Sequence, residues 1–191
     1  FLLFAMVFVL GLFLELTMSD SLSAAYMSLK LQYIGQAGFL PSLLFFTAIF
    51  VNIKVPKSVY YIQTVVICVM LAAVMTMEYH TFFYTSAVIV TDGAYNRIHV
   101  SDGPIWYLHY VYMAFVLFFV MISCGIKYRS SSRIQKKRIT FIMLGVGALI
   151  FELILKGVGI FGSYNPVACA MLILELCLFW AILRYGYFDS I

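Results

Sequence analysis

Charged residues are what this chain has least of. Only 10% of its 191 residues are Asp, Glu, Lys or Arg, against 64% that are hydrophobic. A water-soluble domain carries about a quarter charged residues, so this shortage excludes one. The start lacks a basic n-region and a small-residue cleavage site, which excludes a secretory signal peptide there. Because the chain opens at Phe1 inside an apolar run, a longer protein with a segment upstream is expected. Cysteine is scarce as well. Cys68, Cys124, Cys169 and Cys177 all lie in apolar runs, with neither a disulfide framework nor metal-ligand spacing. Internal repeats, low-complexity tracts, a Gly-rich phosphate loop and a nucleophile–base pair are also missing. These absences predict no catalysis and no bound cofactor in this segment.

What is present is length without charge. Six apolar stretches, about 1–18, 35–53, 58–77, 105–126, 139–161 and 166–186, each approach the ~20 residues needed to cross a bilayer. The expected fold is an all-α membrane protein, one transmembrane domain over residues 1–191. It has six transmembrane helices in this chain and a small extracellular β-hairpin between the third and fourth. Lys127, Arg129, Arg133, Lys136, Lys137 and Arg138 crowd a stretch read as a basic loop over 127–138, and Lys54 and Lys57 mark another. The positive-inside rule puts both in the cytoplasm of a multi-pass cell-membrane protein. Both ends of this segment are then cytoplasmic, and the hairpin and the short turn at 162–165 lie outside. The basic run suits topology and attraction to anionic lipid rather than nucleic acid.

The longest polar interruption is 78–104. Two β-rich runs there flank Thr91-Asp92-Gly93-Ala94, and Asp-Gly between such runs signals a tight hairpin over about 84–101. A turn centred on Asp92-Gly93 pairs Val90 with Tyr95, Val88 with Arg97 and Ser86 with His99. The opposite face, with Ala87 beside Ile98 and Thr85 beside Val100, is almost wholly apolar and should pack down on the bundle. Arg97 and His99 would look outward. Before the second span, 19–34 carries capping residues Ser19 and Asp20 and a helical apolar row. It predicts a helix running into that span, with a kink at Pro41, or one lying on the headgroups.

Ionisable groups inside a membrane are default functional candidates, because each is costly without a partner. Glu15, Glu152, Lys156 and Glu175 qualify, three of them in the outer half by depth and Glu175 near the middle. Glu152 and Lys156 are spaced for a helical ion pair. His80 and His109 lie at the outer edge, where hydrogen bonding to the hairpin is preferred over haem ligation. With Tyr33, Trp106 and Tyr110 as aromatic walls, the expected ligand site is Glu15, Tyr33, His80, Trp106, Tyr110, Glu152, Lys156 and Glu175. No metal is expected in it.

The order of these features resembles the seven-transmembrane N-terminal sensor region of bacterial histidine kinases, a module also found ahead of diguanylate cyclase and HD-type output domains. The resemblance rests on Glu15, then Leu31-Gln32-Tyr33-Ile34-Gly35 followed by Pro41, and His80 with Thr81. It continues with Gly103-Pro104-Ile105-Trp106, Arg133 with Gln135, and the closing Arg184-Tyr185-Gly186-Tyr187-Phe188-Asp189. Asn165-Pro166 stands where the family often has an acidic residue before the proline. The resemblance implies seven spans, the first upstream of Phe1. It also implies an output linker from 184 leading to a cytoplasmic output domain of the same polypeptide, in a two-component or similar signalling enzyme. The segment would detect a small amphiphile, lipid or peptide and signal through its last helix, with homodimerisation left open and no nucleic acid involved. The rival readings are a transporter or channel fragment, whose inverted repeats and interrupted helices are not evident beyond Pro41 and the glycines Gly145, Gly147, Gly157 and Gly159, and a passive dimerising anchor.

Overall fold

A computed structural model describes residues 2–18, 21–92, 95–160 and 166–185. Among the described residues six helices and one antiparallel pair of strands follow each other. They are α1 (Leu2–Met18), α2 (Leu22–Val51), α3 (Lys57–Met75), β1 (Tyr84–Asp92), β2 (Tyr95–Asp102), α4 (Pro104–Ser130), α5 (Arg133–Gly157) and α6 (Val167–Tyr185). Helices α2 to α6 are long and apolar enough to cross a bilayer, and α1 is a shorter apolar helix. The chain is an all-α membrane protein with a hairpin between its third and fourth helices. It divides into two compact units, Phe1–Leu43 with Pro56–Met113 and Leu44–Val55 with Ala114–Ile191.

In the first unit α1 meets α2 through glycines. A Cβ on Gly11 would lie 2.7 Å from the Gln32 backbone nitrogen, and one on Gly35 would lie 2.5 Å from that of Phe8. Both are impossible distances, so the two backbones touch where any other residue would hold them apart. Helix α2 spans 30 residues, about 45 Å, well beyond the ~30 Å hydrocarbon layer. The expected helix of 19–34 is thus the first part of α2, running without a break past Pro41. Ser19 and Asp20 lie outside the described residues.

The hairpin keeps its expected faces but not its expected register. Ile89 pairs with Ile98, Ala87 with Val100, Val88 with His99 and Asp92 with Tyr95, two residues on from the predicted pairing. The reason is in the pairs themselves: this register sets apolar residues directly opposite one another on the inner face, where cross-strand contacts count most. A bulge between Tyr84 and Ser86 then turns Tyr84 inward. Val88, Val90 and His99 are exposed, whereas Ile98 is buried and Ala87 and Val100 pack on a core of Ala25, Leu29, Phe83 and Met77. The apolar face is therefore covered. Gly93, and any side-chain direction for Arg97, lie outside what is described.

In the second unit α5 meets α6 at Gly145, whose added Cβ would lie 2.8 Å from the Leu174 Cα. The predicted basic loop over 127–138 is not a loop. Helix α4 continues to Ser130 and α5 begins at Arg133. The turn is that short because Ser132 and Gln135 form a reciprocal capping box that starts α5 at once. At its other end α5 stops at Gly157, short of the expected 161. Gly159 adopts φ +79°, and Ile160 and Gly159 donate to Leu155 and Lys156 as a Schellman motif. Asn52 (φ 57°) closes α2 the same way, with Ile53 donating to Ala48 and Asn52 to Ile49. Gly145 and Gly159 thus serve packing and capping.

Gly35→Ala should destabilise the chain by about 1–3 kcal/mol, the usual cost of overpacking. Gly147→Ala should be neutral or slightly stabilising, because its Cβ would meet only the Met121 Cε at 3.7 Å. Thermal unfolding of the detergent-solubilised chain compares the two.

Candidate functional site

Three polar residues on one stretch of α2 organise the first unit. Gln32, Tyr33 and Gln36 fall on adjacent sectors of the helix, because each step along it turns about 100°. Each is tied to a different neighbour. Gln32 Nε2 donates to Glu15 Oε2 on α1 at 2.7 Å. The Tyr33 hydroxyl pairs with that of Tyr84 on β1 at 2.5 Å. Gln36 Oε1 lies 3.0 Å from His109 Nε2 on α4, with the imidazole as donor.

Aromatic rings enclose this layer. Phe83 and His109 approach the Tyr33 ring edge-on, with centroids 4.7 and 5.5 Å away. Trp106 stacks on Tyr110 at 5.3 Å. Gln32, Tyr33, Tyr84 and His109 are all buried. Burial, and next the neighbouring Tyr33, push the Tyr84 phenol well above its ordinary value. A raised phenol stays neutral in the folded and unfolded chain alike below about pH 10, so the contact is constant through the physiological range. Above that the unfolded chain ionises first and the contact loses stability.

Of the expected ligand residues, the structure brings Glu15, Tyr33, Trp106 and Tyr110 into or beside this layer. His80 stands apart from it. Its Nε2 lies 3.0 Å from Thr76 Oγ1 and its Nδ1 accepts from the Phe82 amide, so it closes the end of α3 locally. Glu152, Lys156 and Glu175 belong to the second unit. Glu152 is buried, the Lys156 charge acts on it, and neither its Oε1 nor that of Glu175 has a hydrogen-bond partner among the described residues. The two carboxylates do not share a level. Gly145 faces Leu174, which puts Glu152 roughly 12 Å along the axis from Glu175.

A family model described as the N-terminal 7TM region of histidine kinase matches residues 1–191. The chain belongs to that family. Among curated proteins and among solved structures no match is found. Membership makes the segment a membrane sensor region of histidine-kinase type that is not itself catalytic. No group of His, Cys, Asp and Glu fit for a metal occurs among the described residues.

Sequence reasoning about this 7TM region missed Gln32, Gln36 and Tyr84 as functional candidates. Gln32 was available as a polar residue in a long apolar helix, one turn before Gln36. Tyr84 gave no such signal, because only the bulge turns it inward. The Lys30–Glu78 ion pair, at 2.8 Å, joins α2 to the segment before the hairpin across 48 positions and had no local signature. Being partly exposed, it contributes about 0.2–1 kcal/mol.

Tyr84→Phe and Tyr33→Phe should each cost about 1–3 kcal/mol by stranding a buried hydroxyl. The double variant should cost less than their sum, with a coupling of about 0.5–3 kcal/mol. A double-mutant cycle on denaturant unfolding measures it, and strict additivity would mean the two hydroxyls do not depend on each other.

Proposed function

We propose that this region receives an extracellular or membrane-borne ligand beneath the hairpin and passes a conformational signal through α6 to a cytoplasmic output domain of the same polypeptide. The observation that carries this reading is the buried layer in which Gln32, Tyr33 and Gln36 tie α2 to α1, the hairpin and α4. A molecule that replaces any one of these bonds changes the restraint on several elements at once. Such a ligand carries its own hydrogen-bonding group and an apolar body that matches Phe83, Trp106 and Tyr110. A ligand shifts the module only by its difference in affinity between two states, so it must favour the arrangement with the hairpin released. The output is a histidine kinase or a related signalling enzyme. The transporter reading draws no support from Gly145 and Gly159, which have packing and capping roles.

In the parent polypeptide, Tyr33→Phe, Gln36→Leu and Glu15→Gln should each shift the basal output or the stimulated response several-fold. Autophosphorylation in membrane vesicles, read at matched protein levels, is the measurement. If all three leave it unchanged, the module is a passive anchor. The hairpin should also lie outside and the α4–α5 turn inside. With the native cysteines replaced by alanine, a membrane-impermeant maleimide should label His99→Cys on intact cells, and Ser132→Cys only after lysis.

A further inference from the structure

An open groove of about 420 Å³ runs between the second half of α4 and the first half of α5, within the second unit. Its floor is apolar, formed by Met121, Gly125, Met143 and Leu144. At Gly125 an added Cβ would meet nothing within 4 Å, so the floor is empty where a side chain would normally stand. The two methionines give it soft walls that adapt to a flexible occupant. One end of the groove changes character. There Tyr128 and Arg129 form the rim, Arg129 is exposed, and the Lys136 ammonium sits 5.5 Å from the centre of the Tyr128 ring. The Thr140 hydroxyl in the lining already donates to the Lys136 carbonyl, which leaves the cations as the polar groups offered to an occupant.

The charge around that rim is of one sign. Six cations lie between Lys127 and Arg138, and no Asp or Glu occurs from Gly103 to Phe151. An occupant that matches these features is anionic at one end and apolar along its length.

We propose that this groove is a specific site for one anionic phospholipid, its acyl chain lying over Gly125 and its phosphate held by Arg129 and Lys136. General attraction of a basic patch to an acidic membrane needs only the charges. A site needs the groove as well, and it saturates. A free phosphate would satisfy the rim but leave the floor empty.

The test is native mass spectrometry of the full chain in detergent, titrated with phosphatidylglycerol and with phosphatidylcholine. One saturable phosphatidylglycerol adduct is expected, bound roughly fivefold or more tightly than phosphatidylcholine, in keeping with one or two cations at the headgroup. Gly125→Leu fills the floor without a backbone clash and should abolish that adduct while the melting temperature holds. Arg129→Gln, at an exposed position, should remove the preference for phosphatidylglycerol while the melting temperature holds. Equal binding of the two lipids, an adduct that survives Gly125→Leu, or competition by soluble glycerol phosphate at the lipid's own concentration would overturn the proposal.

Discussion

A polar side chain buried away from water must find its hydrogen-bond partner within the protein. That constraint falls hardest on α2, which carries Gln32, Tyr33 and Gln36 inside a long apolar helix. Their partners come from three elements distant in sequence: Glu15 on α1, Tyr84 on β1 and His109 on α4. The arrangement of the first unit follows from those three demands. Leaving any one partner unmet costs about 1–3 kcal/mol, a large share of ordinary marginal stability. The hairpin is seated by the same logic, since its bulge exists where Tyr84 must turn inward.

Apolar packing supplies what the polar layer cannot. Between lipid-exposed helices there is little hydrophobic drive, so close van der Waals approach has to hold them together. Gly11 and Gly35 provide it between α1 and α2, and Gly145 between α5 and α6. The close seam also brings Gln32 near enough to reach Glu15, because Gly11 sits directly against the Gln32 backbone. Glycine placement and polar pairing are thus one device on this face of α2.

Fold class was legible because hydrophobic runs and their spacing report bilayer thickness directly. The inner and outer faces of the hairpin were legible for a similar reason, since the alternation in 84–101 has period two whatever the register. The register itself was not. Asp-Gly pointed to one turn, and the direct pairing of Ile89 with Ile98 settled on another. That α4 and α5 take up all of 127–138 except Ser131 and Ser132 was hidden by the charge there, although Ser132 and Gln135 spelled a capping box. Of the site, Glu15 stood out by the cost of a carboxylate in an apolar helix, but its partner Gln32 lies on another helix. No local pattern announces that Tyr84 will meet Tyr33 or that Lys30 will meet Glu78.

For the ligand proposed to act on the layer beneath the hairpin, energetics set the terms. Driving a two-state module from about 1:99 to 99:1 takes roughly 5.5 kcal/mol of differential binding. Exchanging the Tyr33–Tyr84 bond for a ligand's own hydrogen bond contributes about 0.5–1.5 kcal/mol at most, and less where the old partners stay unpaired. The remainder, at ~25 cal/mol per Å², corresponds to about 160–200 Å² of additional apolar surface taken from water. A small ion or a wholly polar metabolite has no such surface to bury. The rings of Phe83, Trp106 and Tyr110 can cover that area, which favours an amphiphile whose polar head reaches Tyr33 while its apolar body lies against them.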